Sequence, residues 1–317
     1  MPLTPGSNTF TAYALNSDNV QSLEASDGVL GDRSLARPGQ TYILSIGVDD
    51  YSQGIPSLRY SGNDARAFVD AVASLQRDRK VRAVTLLDAE ATRDNILCGL
   101  RRLRSDARDT PSCSVEQLNQ LAPTSIEDTL YIYFSGHGVS RAEGFAILPH
   151  DASYLSHNSS SNDPPLQNII SDTDLRRALE PIWAKQQVLV LDACSAGSII
   201  SNGRARNAQE NLSSIGQLAR DKGIYILAAA TPRQAAMEGP DQGPGKDRSI
   251  MNYFLIEEGI QSRKADNNRP DRSLTIEDWF NYAVAQVPNS ADQQPVSFLP
   301  MRQENTETGI VGYFTTR

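Results

Sequence analysis

The stretch QQVLVLDACSAG, residues 186–197, decides how the rest of the chain is read. Its first half is apolar at nearly every position, as a strand covered on both faces requires, because successive side chains then enter two separate cores. Its second half changes to an acid, a thiol and small residues, which is how a buried strand opens into a loop. Working outward, TYILSIGVDDY (41–51), VRAVTLLD (81–88), TLYIYFSGHG (129–138) and GIYILAAAT (223–231) read as further strands, with FAILP (145–149) a short hairpin partner. Between them lie helical patterns. Phe68, Val72 and Leu75 share one face, as do Ile96, Leu100 and Leu103 behind a Thr92 cap. Ser171 with Asp174, and Thr275 with Asp278, make capping boxes that open two more helices, and another lies around Ile250–Ile260.

Strands alternating with helices predict an α/β fold with a mostly parallel central sheet and helices on both faces. Sites in such sheets form at the carboxyl ends of strands. That directs attention to Asp49–Tyr51, Ser135–Gly138 and Asp192–Gly197. Residues 1–40 read as a flexible N-terminal arm or linker, 41–290 as one domain and 291–317 as a tail with short strands. Residues 198–222 are polar, basic in places and without pattern. They divide the domain into a larger part (41–197) and a smaller one (223–290).

The chain has 317 residues, 38 Asp and Glu against 30 Lys and Arg, and a formal net charge of −8. An acidic chain is not expected to bind nucleic acid or anionic membrane, which need a basic surface. No apolar run approaches the ~20 residues that span a bilayer. The first residues, MPLTPGSNTF, carry no signal-peptide pattern, so a cytoplasmic location is expected. There are three Cys and three His. An odd Cys count argues against a disulfide framework, and no CxxC or HxxxH spacing suggests zinc. Cys98 reads as a core side chain of its helix, Cys113 as an exposed loop thiol, His150 as structural and His157 as a loop residue.

That scarcity sharpens one combination. His137 follows the strand ending at Ser135, between Gly136 and Gly138, and Cys194 follows the strand ending at Asp192. A thiol needs a base to become a nucleophilic thiolate, and imidazole is the usual one. Glycines let backbone N–H groups approach a substrate closely. Taken singly, a Cys at a strand end is a small buried hydrophobe and a His between glycines is a loop residue; taken together, they can converge on one cleft if the two strands are neighbours.

YFSGHGV followed by VLVLDACSAG resembles the caspase-like cysteine peptidases, the family of caspases, metacaspases and their bacterial relatives. ILSIGVDDYSQGIPSLRYSGNDARAF is similar to the family's first strand and helix, ATRDNILCGLRRL to the helix before the His strand, and IYILAAATPRQAAMEG to the strand after the Cys. The resemblance covers roughly residues 41–262 and implies the caspase–hemoglobinase fold. It also implies a Cys–His dyad: Cys194 attacks the scissile carbonyl, His137 is the general acid/base, and the N–H groups of Gly138 and Cys194 form the oxyanion hole. Asp192 and Asp64 match two acids with which metacaspases bind Arg or Lys at P1, the substrate residue before the cut. Protein or peptide substrates with a basic P1 are therefore expected. The metacaspase pattern DxCHSG is DACSAG here, which points to bacterial metacaspase-like or orthocaspase-type proteins.

Metacaspases often bind calcium through a segment that IISDTDL only partly matches, with Asp172 and Asp174 separated by Thr173. Those acids read as helix caps, and no obligatory cofactor is expected. Residues 198–222 stand where caspase relatives are cut during activation. Arg204, Arg206, Arg220 and Lys222 are candidate self-cleavage sites, or simply the basic residues of a solvated loop. An upstream sensor or repeat domain is a possible partner. The competing reading is a catalytically silent caspase-fold module serving interaction within a larger assembly.

Overall fold

The computed structural model describes the chain except for residues 1–2, 4, 15, 18–19, 53, 77–78, 108, 142–143, 156–164, 195–213, 232–233, 240–244, 267–271, 301–308 and 315–317. The chain starts with a hairpin of β1 (Gly6–Ala12) and β2 (Ala25–Gly31), paired antiparallel over seven positions. An arm without regular structure was the expectation; instead the two strands satisfy each other's backbone groups without a core of their own, and Leu23 and Leu30 stay 95 % and 82 % exposed. The hairpin touches the body where the Tyr13 hydroxyl donates to the Asp221 carboxylate at 2.9 Å.

The body is built on β3 (Thr41–Gly47), β4 (Val81–Leu87), β5 (Thr129–Ser135), and a small sheet made of β6 (Gly138–Arg141), β7 (Gly144–Ile147) and β10 (Ile170–Ser171). A two-residue ladder of β8 (Ser153–Tyr154) with β9 (Leu166–Gln167) precedes β10. Then come β11 (Gln186–Asp192), β12 (Tyr225–Ala228), β13 (Ser273–Thr275), β14 (Val296–Phe298) and β15 (Ile310–Tyr313). The central sheet has the order β14-β12-β11-β5-β3-β4. All its ladders are parallel except β12–β14. The strands beyond residue 290 are thus part of the body: β14 closes one edge of the sheet and β15 pairs with β13, burying Val311 and Phe314.

The run of apolar residues in each strand divides by alternation, as period-2 geometry demands. Leu44, Ile46, Leu130, Ile132, Phe134, Leu189 and Leu191 face one core with α2 (Arg93–Arg102), α3 (Asp172–Leu179) and α4 (Ser214–Lys222). Ile43, Tyr131, Tyr133, Val188, Val190 and Leu227 face the other with α1 (Ser61–Ser74), α5 (Ile250–Asn252) and α6 (Ile276–Gln286). The helix expected around Ile250–Ile260 forms, but after Asn252 it widens into a π-helix, Tyr253–Gln261. The predicted caps are present: Thr92, Ser171 and Thr275 each accept from the backbone three residues on.

A further expectation is overturned. Cys98 and Cys113 are joined by a disulfide, and Cys113 is as buried as Cys98, each 7 % exposed. The cause is the segment after α2, which folds back over the helix. The Arg102 guanidinium gathers it by donating to the carbonyls of Leu121 (3.1 Å), Asn119 (3.0 Å) and Pro111. That places Cys113 on the buried side of α2. An odd count excludes complete pairing but not a single bond, leaving Cys194 as the free cysteine.

Candidate active site

Strand register brings the site together. In the parallel ladders Gly47, Ser135 and Asp192 stand at the same level on adjacent β3, β5 and β11. His137 and Cys194 each follow two residues later on strands about 4.8 Å apart. The ladder continues one step further, since the Gly136 N–H donates to the Asp192 carbonyl at 3.2 Å. Gly138 then passes directly over the cysteine. A Cβ at this position would lie 2.6 Å from the Cys194 carbonyl oxygen and 3.0 Å from the Ala193 methyl, so only glycine allows the approach.

His137 is half-buried and held on both sides. Its backbone N–H donates to the Tyr51 hydroxyl at 2.6 Å, and the Tyr51 ring lies 4.8 Å from the imidazole. Burial pushes the Tyr51 phenol well above its ordinary range, so it remains an un-ionised support. On the ring, Nε2 lies 2.8 Å from the Pro56 carbonyl, which can only accept. Nε2 therefore carries the proton, and Nδ1 carries the lone pair of the neutral ring. Cys194 is partly buried, with Sγ 3.9 Å from the Ala236 carbonyl. Gly138 and Ile147 are opposite each other in β6 and β7, next to a bond from the Leu148 N–H to the His137 carbonyl. Antiparallel alternation makes Gly138–Ile147 the non-hydrogen-bonded pair, which turns the Gly138 N–H away from β7.

Behind the thiol, Asp64 on α1 and Asp192 at the end of β11 are brought together, as the resemblance implies. Both are sealed, at 0 % and 4 % exposure. Ser249 joins them: its backbone N–H donates to Asp64 at 3.0 Å and its hydroxyl donates to Asp192. The Tyr133 hydroxyl donates to Asp192 at 3.3 Å and accepts from the Asn252 amide at 3.0 Å; Asn252 also donates to the Asp64 carbonyl. Ser135 completes the ring, 3.5 Å from Asp64. Burial, then the neighbouring Asp192, raises Asp64 well above the carboxylate range; burial pushes Asp192 up to about 6 against the pull of the Ser249 and Tyr133 hydrogen bonds. The two buried carboxylates lie in one hydrogen-bonded cluster around Ser249, so they titrate as a unit. Ser249, Asn252 and Tyr133 were missed in the sequence. The one local signal was SIMN, in which Ser249 caps α5 through the Asn252 N–H.

The other sequence candidates fall elsewhere. Asp174 is spent on its capping box with Ser171 and on Arg93 at 3.4 Å, and Asp172 is buried beside Thr173. His150 ties two loops, its Nδ1 2.6 Å from the Asp50 carbonyl and its own carbonyl accepting from Ser52. Lys222 and Arg220 lie in α4 and not in an open loop. The Lys222 ammonium reaches the carbonyls of Leu179, Glu180 and Ile182 at the end of α3, and burial lowers it to about 8. A helical, anchored lysine does not offer the extended backbone that a peptidase cleft takes, so both are withdrawn as cleavage sites. Arg204, Arg206, Gly197 and His157 lie outside the described residues.

No helix among the described residues is long and apolar enough to cross a membrane. A family model described as the caspase domain matches residues 41–305. Among solved structures, a protein of Geobacter sulfurreducens superposes with a TM-score of 0.51 at 13 % identity, covering 84 % of this chain and 95 % of that one; at such identity the likeness speaks for the fold. No curated protein matches.

Proposed function

The chain belongs to the caspase-domain family, and on that premise we propose that it is a cysteine endopeptidase that cuts after Arg or Lys. The observation that carries the reading is the shared level of β5 and β11, with Gly138 packed against the Cys194 carbonyl. In this mechanism Nδ1 of His137 accepts the Cys194 thiol proton, and the thiolate attacks the scissile carbonyl. The oxyanion that develops is met by the N–H groups of Gly138 and Cys194. The imidazolium, held by the Pro56 carbonyl and Tyr51, returns its proton to the leaving amine, and a water deprotonated by His137 then releases the acyl group.

The basic P1 preference is supported by the paired acids Asp64 and Asp192. A guanidinium entering between them replaces the donor atoms of Ser249 and supplies the positive charge that favours both acids ionised. Ser249 must therefore move for substrate to enter. Self-processing is proposed for Arg204 and Arg206 alone.

The test is a panel of fluorogenic peptides with Arg, Lys or Asp at P1, run on wild type and Cys194→Ala, with calcium and with chelator. Turnover of Arg and Lys peptides, lost in the variant, is the expected result. Cleavage after Asp alone overturns the pocket assignment and spares the mechanism. No turnover, with Cys194 unreactive to iodoacetamide, overturns the enzyme and leaves a silent interaction module.

A further inference from the structure

The thiols of this chain are divided by position. Cys98 sits on the buried face of α2, whose Ile96 and Leu100 pack into the core against the sheet. Cys113 belongs to the segment that leaves α2 and returns to β5 with little regular structure, a single 3-10 turn at Glu116–Gln120. That segment lies over the helix with Leu118 and Leu121 wholly buried beside Leu44, and a Cβ on Gly99 would meet Leu118 at 2.9 Å. Three carbonyls accept from Arg102, and the Cys113 N–H donates to the Asn119 side chain at 3.3 Å. The cysteines are 15 positions apart with Cα atoms 6.0 Å apart, a separation that a disulfide spans without moving the backbone. Both are 7 % exposed, so neither offers an accessible reactive thiol. Cys194 is the opposite: unpaired and partly open.

From this division we infer that Cys98–Cys113 is a permanent structural cross-link and that the domain completes its folding in an oxidising compartment, not in the cytoplasm that the sequence suggested. Closing the bond removes two electrons and two protons from the thiols. A small-molecule or protein disulfide takes them up through a mixed disulfide with one of the two cysteines and leaves as two thiols. Such bonds form and persist where oxidising partners are maintained and are rare where thiol reductants dominate. With both cysteines so engaged, the chain keeps a single titratable thiol, the one at the strand ends. The cross-link fastens the irregular segment over α2 and shrinks the unfolded ensemble. It does not touch the site, so the inference stands or falls apart from the proposed peptidase activity.

The experiment expresses the full chain twice, retained in an ordinary bacterial cytoplasm and exported to the periplasm. Cells are quenched in acid, the protein is denatured without reductant and alkylated with iodoacetamide, and labels are counted by intact mass. One label from the periplasm and three from the cytoplasm is the expected result. Three labels from both overturn the cross-link, and one label from both overturns the need for an oxidising compartment. Thermal melting supplies the second readout. The exported protein is expected to melt higher by on the order of 5–10 °C, to lose that margin in dithiothreitol, and then to match the Cys98→Ser/Cys113→Ser variant. A melting temperature indifferent to dithiothreitol overturns the structural role, and that comparison needs only the wild type should the variant fail to fold.

Discussion

The proposed Cys–His pair and the buried acid pair meet at the same end of the sheet, yet they are built in different ways. His137 and Cys194 are placed by backbone: two steps past register-matched residues, over a glycine that tolerates no side chain. Asp64 and Asp192 are placed by side chains reaching from α1, β5, β11 and α5, sealed and hydrogen-bonded to one another through Ser249. The first arrangement leaves the Cys194 thiol unpaired and partly exposed. The second is closed on itself, and burial raises both carboxyls above the usual range. On the proposed reading, chemistry is a matter of strand register, and selectivity a matter of what replaces Ser249.

The largest effect is expected at the thiol. Cys194→Ala should lower kcat by about 10⁴-fold or more, because dyad members act as a unit, while leaving the Asp64–Asp192 pocket and its affinity for arginine-containing peptides intact. Loss of both would break the separation between the two regions. Next, Asp192→Asn should lower kcat/KM for Arg peptides by about 10²–10³-fold with the rate of Cys194 alkylation unchanged. An altered alkylation rate would show that the pocket also tunes the nucleophile. Gly138→Ala should reverse that pattern, costing about 10²-fold in kcat with little change in KM, since the added carbon displaces the Cys194 carbonyl.

The smaller effects come from the raised carboxyls of Asp192 and Asp64 and from the Ser249 hydroxyl. With Asp192 pushed up to about 6, KM for Arg peptides should fall as pH rises through about 6 and the pocket gains charge. Stability should move the other way. The folded acids hold a proton that unfolded carboxylates have already released near pH 4, so their contribution is full in acid and is lost as pH rises from about 4 to about 6, continuing above that for the proton Asp64 retains. Melting curves of wild type and Asp192→Asn across this range check the sign; a parallel pair would show that no such proton is held. Ser249→Ala should lower KM about 5–10-fold by removing the hydroxyl with which an incoming guanidinium competes, and a raised KM would make Ser249 part of the substrate's cradle instead.

This contrast also explains what could be read from the sequence. The sheet and the placement of His137 and Cys194 at neighbouring strand ends were legible because their signals are local: unbroken apolar runs, and a Cys and a His beside glycine at the ends of two of them. The resemblance supplied Asp64 and Asp192. Ser249 and Asn252 were not legible, because a serine and an asparagine near a helix start look like any cap until the fold brings α5 against α1. The disulfide was hidden for a similar reason, since Cys113 looks exposed until Arg102 folds its segment over α2. The hairpin at Gly6–Gly31 was hidden because its residues carry no core-facing pattern.

The pairing of β11 with β12, which lie on either side of residues 195–213, has a practical result. β12 forms four register pairs with β11, and Lys222 grips the end of α3 from the far side of that stretch. A cut between the two strands would leave these pairings in place. A nicked molecule should elute as one particle on gel filtration and separate into two fragments only in denaturant, so the number of polypeptides on a gel would report processing and say nothing of assembly.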